Sequence, residues 1–121
     1  LSYTSFEYAD PEVRVHNDGR SIRMAFTVEN SGSRSGSEIA QIYVHKPDSR
    51  IERPLQELKG FRKVALEPGQ SARIELDIPR AQLHYFDEER MQWTFQPGTY
   101  EIRIGASSAD IRLKSIVTLN Q

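Results

Sequence analysis

Cysteine is absent from the 121 residues. A disulfide framework, thiolate metal ligands and a cysteine nucleophile are therefore all excluded, and cysteine usage gives no reading of the redox compartment. Long apolar runs are absent too. The longest, Met24–Phe26, Ile42–Val44 and Val64–Leu66, are three residues each, so no segment here spans a bilayer as a helix. No secretory leader is recognisable, and localisation is left unread. Charge of one sign is not in excess. Sixteen Lys and Arg stand against seventeen Asp and Glu, for a net charge of −1. A near-neutral chain lacks the field that holds a phosphate backbone, which argues against nucleic acid as a partner. What remains is enough for one ordinary domain, able to bury roughly two-thirds of its unfolded surface. The first residue is Leu and not Met. The expectation is therefore residues 1–121 as a single domain, a fragment processed or cut from something larger.

Alternation with period two dominates what is present. Ile22, Met24, Phe26 and Val28 share one face of Ser21–Asn30, with Arg23, Thr27 and Glu29 on the other. Ser71–Ile78 sets Ala72, Ile74, Leu76 and Ile78 against Arg73, Glu75 and Asp77; Thr99–Gly105 sets Tyr100, Ile102 and Ile104 against Glu101 and Arg103. Such alternation marks half-buried antiparallel strands. Ser37–His45 is apolar on both sides, as a central strand would be. Asn17-Asp18-Gly19 supplies residues that tolerate positive φ, and Pro68-Gly69 and Pro97-Gly98 each fit positions i+1 and i+2 of a type II hairpin turn. Pro79 to Leu83 invites one helical turn, followed by a hairpin tipped by Asp87–Arg90. The expected fold is all-β, an immunoglobulin-like or fibronectin-like antiparallel sandwich of about seven to nine strands.

Chemistry-bearing patterns are sparse. Asp87, Glu88 and Glu89 are the one acidic cluster, but neighbouring strand residues point to opposite faces and a hairpin tip has no cleft, so the cluster reads as a solvated turn. His16, His45 and His84 are scattered without metal-ligand spacing. Gly32-Ser33-Arg34-Ser35-Gly36 places Arg where a nucleophile elbow needs Ser. No catalytic, cofactor or metal residue is expected. Trp93 alternates with Met91 and Phe95, which assigns it to the core and not to a sugar platform; Tyr43 is expected to be more exposed. Leu55, Leu58 and Phe61 are spaced by three. On a regular strand Leu58 and Phe61 would face opposite ways, leaving one of them outward beside Arg53 and Pro54. A β-bulge at Gly60 would instead return Phe61 to the core. Arg53, Pro54, Leu58 and Phe61 form the candidate docking surface.

Arg53-Pro54-Leu55-Gln56-Glu57-Leu58-Lys59-Gly60-Phe61-Arg62-Lys63-Val64 resembles the signature segment of the C-terminal fibronectin type III-like domain of family 3 glycoside hydrolases. Glu38–Val44, Leu66–Gln70, Leu83–Asp87, Trp93, Pro97–Tyr100 and Gly105–Leu113 fit the same domain in order. The resemblance implies a parent enzyme, mostly a retaining β-glucosidase or β-xylosidase. Its nucleophilic Asp would lie in a TIM-like barrel and its acid/base residue in the following α/β domain. The Ser-Asp-Trp pattern of that nucleophile has no match here, so no catalytic residue carries over. The implied role is structural: a non-catalytic domain bracing the catalytic domains, with those domains as partners. The alternatives are a polysaccharide-binding accessory module, with polysaccharide as a weakly supported partner, and a free-standing fibronectin-type interaction module.

Overall fold

A computed structural model describes residues 4–47 and 56–120. Nine strands follow in order: β1 (Phe6–His16), β2 (Ser21–Asn30), β3 (Gly36–His45), β4 (Glu57–Leu66), β5 (Ser71–Pro79), β6 (Tyr85–Asp87), β7 (Gln92–Thr94), β8 (Gly98–Ser107) and β9 (Asp110–Leu119). One 3₁₀ turn, Arg80–Leu83, follows Pro79 where a helical start was expected. No helix among the described residues is long and apolar enough to cross a membrane.

The strands form a three-stranded sheet, β1-β2-β5, and a four-stranded sheet, β4-β3-β8-β9; β6 and β7 pair only with each other. All pairings are antiparallel. The two main sheets stack through the faces that alternation assigned to the core. Ile22, Met24, Phe26, Val28, Ile74, Leu76 and Ile78 of one sheet meet Ala40, Ile42, Val44, Tyr100, Ile102 and Ile104 of the other. This is the expected fibronectin-like sandwich, held mainly by apolar burial between the sheets. β3 is a central strand between β4 and β8; it buries Ala40, Ile42 and Val44 on its inner face, while on its outer face Tyr43 is buried and Ile39 is exposed.

The turns divide. Asn17, Asp18 and Gly19 all take positive φ between β1 and β2. Gly69 has φ +79°, and the Gln70 N–H donates to the Glu67 carbonyl at 3.0 Å, closing the β4–β5 turn. Pro97-Gly98 differs from expectation. Gly98 has φ +129°, outside type II geometry, and it opens β8 opposite Leu119 rather than closing a hairpin with β7.

One knot is polar. Asn30, fully buried, donates from Nδ2 to the carbonyls of Arg34 (2.8 Å) and Leu66 (3.0 Å). Its Oδ1 accepts from the Gly32 N–H (3.0 Å) and the Thr4 hydroxyl (2.8 Å). The end of β2, the β2–β3 loop and the end of β4 are thereby joined at one amide.

Candidate functional site

β4 carries the first part of the site. Its pairing with β3 slips by one residue: Ile42 faces Gly60 but Tyr43 faces Leu58, leaving Lys59 as the extra residue of a bulge. The alternative of a bulge at Gly60 is thus met one residue earlier, at Lys59, and with the opposite consequence for Phe61. By absorbing one residue it puts both Leu58 and Phe61 on the outer face, 52% and 60% exposed, instead of returning Phe61 to the core. Gly60 is the residue that turns inward. A Cβ there would stand 3.0 Å from Cδ1 of Leu76 on the facing sheet. Arg53 and Pro54 lie outside the described residues.

Tyr43 sits beneath this face. It is only 9% exposed, against expectation, because it is flanked by Leu58 on β4 and Arg103 on β8. Its hydroxyl donates to Oε1 of Gln41. Arg103 is held by Gln56 (2.8 Å) and Glu101 (2.5 Å), and its hydrogen bond keeps the Glu101 carboxyl below the usual carboxylate range.

The β6–β7 hairpin carries the second part. Trp93 is 67% exposed, which overturns its assignment to the core. The reason is topological. Alternation distinguishes core from solvent only in a strand that belongs to a stacked sheet, and β7 pairs with β6 alone. Phe86 meets Trp93 edge-to-face at 5.4 Å between ring centroids, and Phe95 folds back to pack on the core beside Tyr100 and under the Arg80 guanidinium, 3.9 Å from its ring centre. The tip is a turn built by Asp87, whose Oδ1 accepts from the N–H groups of Glu89 (3.0 Å) and Arg90 (3.3 Å). Glu88 and Glu89 are exposed, as the solvated-turn reading expects.

Between β4 and this hairpin lies a depression of about 490 Å³, lined by Leu58, Lys59, Gln82, His84 and Trp93 among others. Glu57 and Lys59 on its wall form an ion pair at 3.4 Å. His84 packs edge-on against Phe95. The concavity offers an indole and a leucine with a neutralised rim, suited to burying an apolar projection and holding no facing pair of carboxylates. A second depression, of about 510 Å³, includes Tyr8, Glu29 and Arg112. Two of its polar side chains are engaged: Arg112 binds Asp110 (2.7 Å) and the Phe6 carbonyl (2.8 Å), and the Tyr8 hydroxyl, its pKa raised by burial and by Glu38, donates to Glu38 (3.2 Å). Among the described residues no group of three His, Asp or Glu side chains could hold a metal ion.

Comparison with known proteins bears on the fold and the family. The family model for the fibronectin type III-like domain matches residues 38–108, from within β3 through the end of β8. The chain belongs to the fibronectin type III-like domain family. A β-glucosidase of Bacteroides ovatus is 38% identical over 114 residues, covering 93% of this chain and 15% of that protein. The thermostable β-glucosidase B of Acetivibrio thermocellus is 38% identical over 122 residues, covering 99% and 16%. The solved β-glucosidase 3B of Thermotoga neapolitana, in complex with α-D-glucose, superposes on the whole fibronectin type III-like chain with a TM-score of 0.92 at 42% identity. These relatives are family 3 enzymes, so the resemblance drawn from Arg53–Val64 holds. The chain spans about one-sixth of the length of each, as their coverage of 15% and 16% records.

Proposed function

We propose that this chain is a non-catalytic accessory domain of a family 3 β-glucosidase-type hydrolase and that it braces the catalytic domains by packing against them. It acts in carbohydrate metabolism through that parent, and residues 1–121 are a single unit within it. The observation that carries the reading is the pair Leu58 and Phe61. On the outer face of the four-stranded sheet, where Ile39 and Ile116 also stand exposed, a bulge holds both of these out, a few residues along the sequence from Arg53 and Pro54. Exposed apolar spots rimmed by charge are a usual mark of interaction surfaces. The four residues form the docking surface, and hydrolysis belongs to the partner domains.

Removing the domain tests this. The parent polypeptide without it should unfold at a lower temperature than the intact parent, while the 121-residue chain alone turns over no aryl β-glucoside or β-xyloside above background. An unchanged melting temperature on deletion would rule out bracing. A polysaccharide-binding reading draws on the exposed Trp93, but Phe86 stands at 76° to the indole, so the two rings make no flat shared platform.

A further inference from the structure

We propose that the depression between β4 and the β6–β7 hairpin receives an apolar projection of the parent polypeptide, oriented by carboxylates facing Arg62 and Lys63 and by cations facing Glu88 and Glu89. The inference rests on the accessory-domain reading and extends the docking surface to residues that the sequence had assigned to the core or to a plain turn.

Three observations converge on it. Leu58 belongs both to the outward face it shares with Phe61 and to the wall of the depression, so the two regions meet at one side chain. Trp93, the largest side chain available here, stands mostly in solvent on the opposite wall. Tryptophan buried at the centre of an interface is among the side chains that contribute most to binding, whereas its exposure in a free domain leaves apolar area in water. The inner rim is electrically spent, because Lys59 is paired with Glu57. The outer rim is not neutral but divided by sign. Beyond the depression on β4 stand Lys63, on the outer face shared with Leu58 and Phe61, and Arg62, on the opposite phase of this edge strand but also exposed; at the hairpin tip stand the exposed Glu88 and Glu89. Such a gradient fixes which way round a partner sits, since the reversed docking would set like charges together. The partner is sought in the same polypeptide because relatives carry this domain inside chains about six times its length.

Hydroxyl-radical footprinting reads the side chains directly. The full-length parent and the 121-residue chain are exposed to radicals in parallel, and oxidation is quantified at Trp93, Leu58 and Phe61. Trp93 and Leu58 should be oxidised about fivefold or more slowly in the parent, as expected where an interface excludes water. The parent variant carrying Arg62→Glu and Lys63→Glu should lose that protection at Leu58. Protection of Phe61 without protection of Trp93 would leave the accessory-domain reading standing and overturn the depression as a receptor. Protection of neither would overturn both. Full protection of Leu58 in the charge-reversed parent would overturn the orienting role of Arg62 and Lys63. Protection of Trp93 in the 121-residue chain by a soluble glucan would assign the depression to a saccharide and overturn the proposal as well.

Discussion

Replacing Asn30 by Ala should destabilise the chain by about 3 kcal/mol, read as a shift of the urea midpoint at unchanged slope. The side chain makes four hydrogen bonds, and each is worth about 0.5–1.5 kcal/mol net. Truncation also strands the buried Leu66 carbonyl, and an unpaired buried polar group costs a further ~1–3 kcal/mol. Asn30→Asp refines the test. It keeps the acceptor for Gly32 and Thr4 but aims a carboxylate at two carbonyl oxygens, so it should be at least as damaging at neutral pH. Part of the loss should return in acid, where a protonated carboxyl can donate again. A loss below about 1 kcal/mol for Asn30→Ala would mean that the knot is replaceable by solvent.

Gly105→Ala should cost on the order of 3 kcal/mol, although only a methyl group is added. A Cβ at Gly105 would lie 2.2 Å from the Asp110 carbonyl oxygen and 2.8 Å from the Ile111 Cα. Both obstacles are backbone of the partner strand, at the bulge where the β8–β9 register shifts, so no rotamer change relieves them. Gly69→Ala is the natural control. Nothing lies within 4 Å of its Cβ position, but φ is +79°, so only the left-handed backbone penalty of about 1 kcal/mol applies. Equilibrium denaturation of the two variants should therefore separate steric cost from conformational cost. Equal losses would contradict the close approach at Gly105.

The sandwich was legible because Ile22–Val28, Ala72–Ile78 and Tyr100–Ile104 belong to stacked sheets, where period two maps directly onto inside and outside. Trp93 was misread by the same rule, since β7 belongs to no stacked sheet. The outward placement of Leu58 and Phe61 was half legible. The spacing of Leu58 and Phe61 flagged an irregularity and Gly60 flagged a bulge, but which residue is the extra one depends on the partner strand. With Lys59 as the inserted residue, Phe61 goes outward. Pro97-Gly98 has the composition of a turn, yet the strands flanking it belong to different sheets, which only the long-range pairing decides. Asn30 gave no signal at all. Its partner at Leu66 is 36 residues away, and Asn beside Ser-Gly reads equally well as an exposed loop.

Phe61→Ala, measured in two contexts, tests the accessory-domain account most directly. The variant is unfolded with urea as the 121-residue chain and melted thermally within the full-length parent. A docking residue that is 60% exposed should cost the 121-residue chain less than about 1 kcal/mol while lowering the melting temperature of the parent, and its hydrolytic activity on heating with it. A loss of about 3–5 kcal/mol in the 121-residue chain, as for a buried phenylalanine, would contradict the bulge geometry, and an unchanged parent would contradict the docking role.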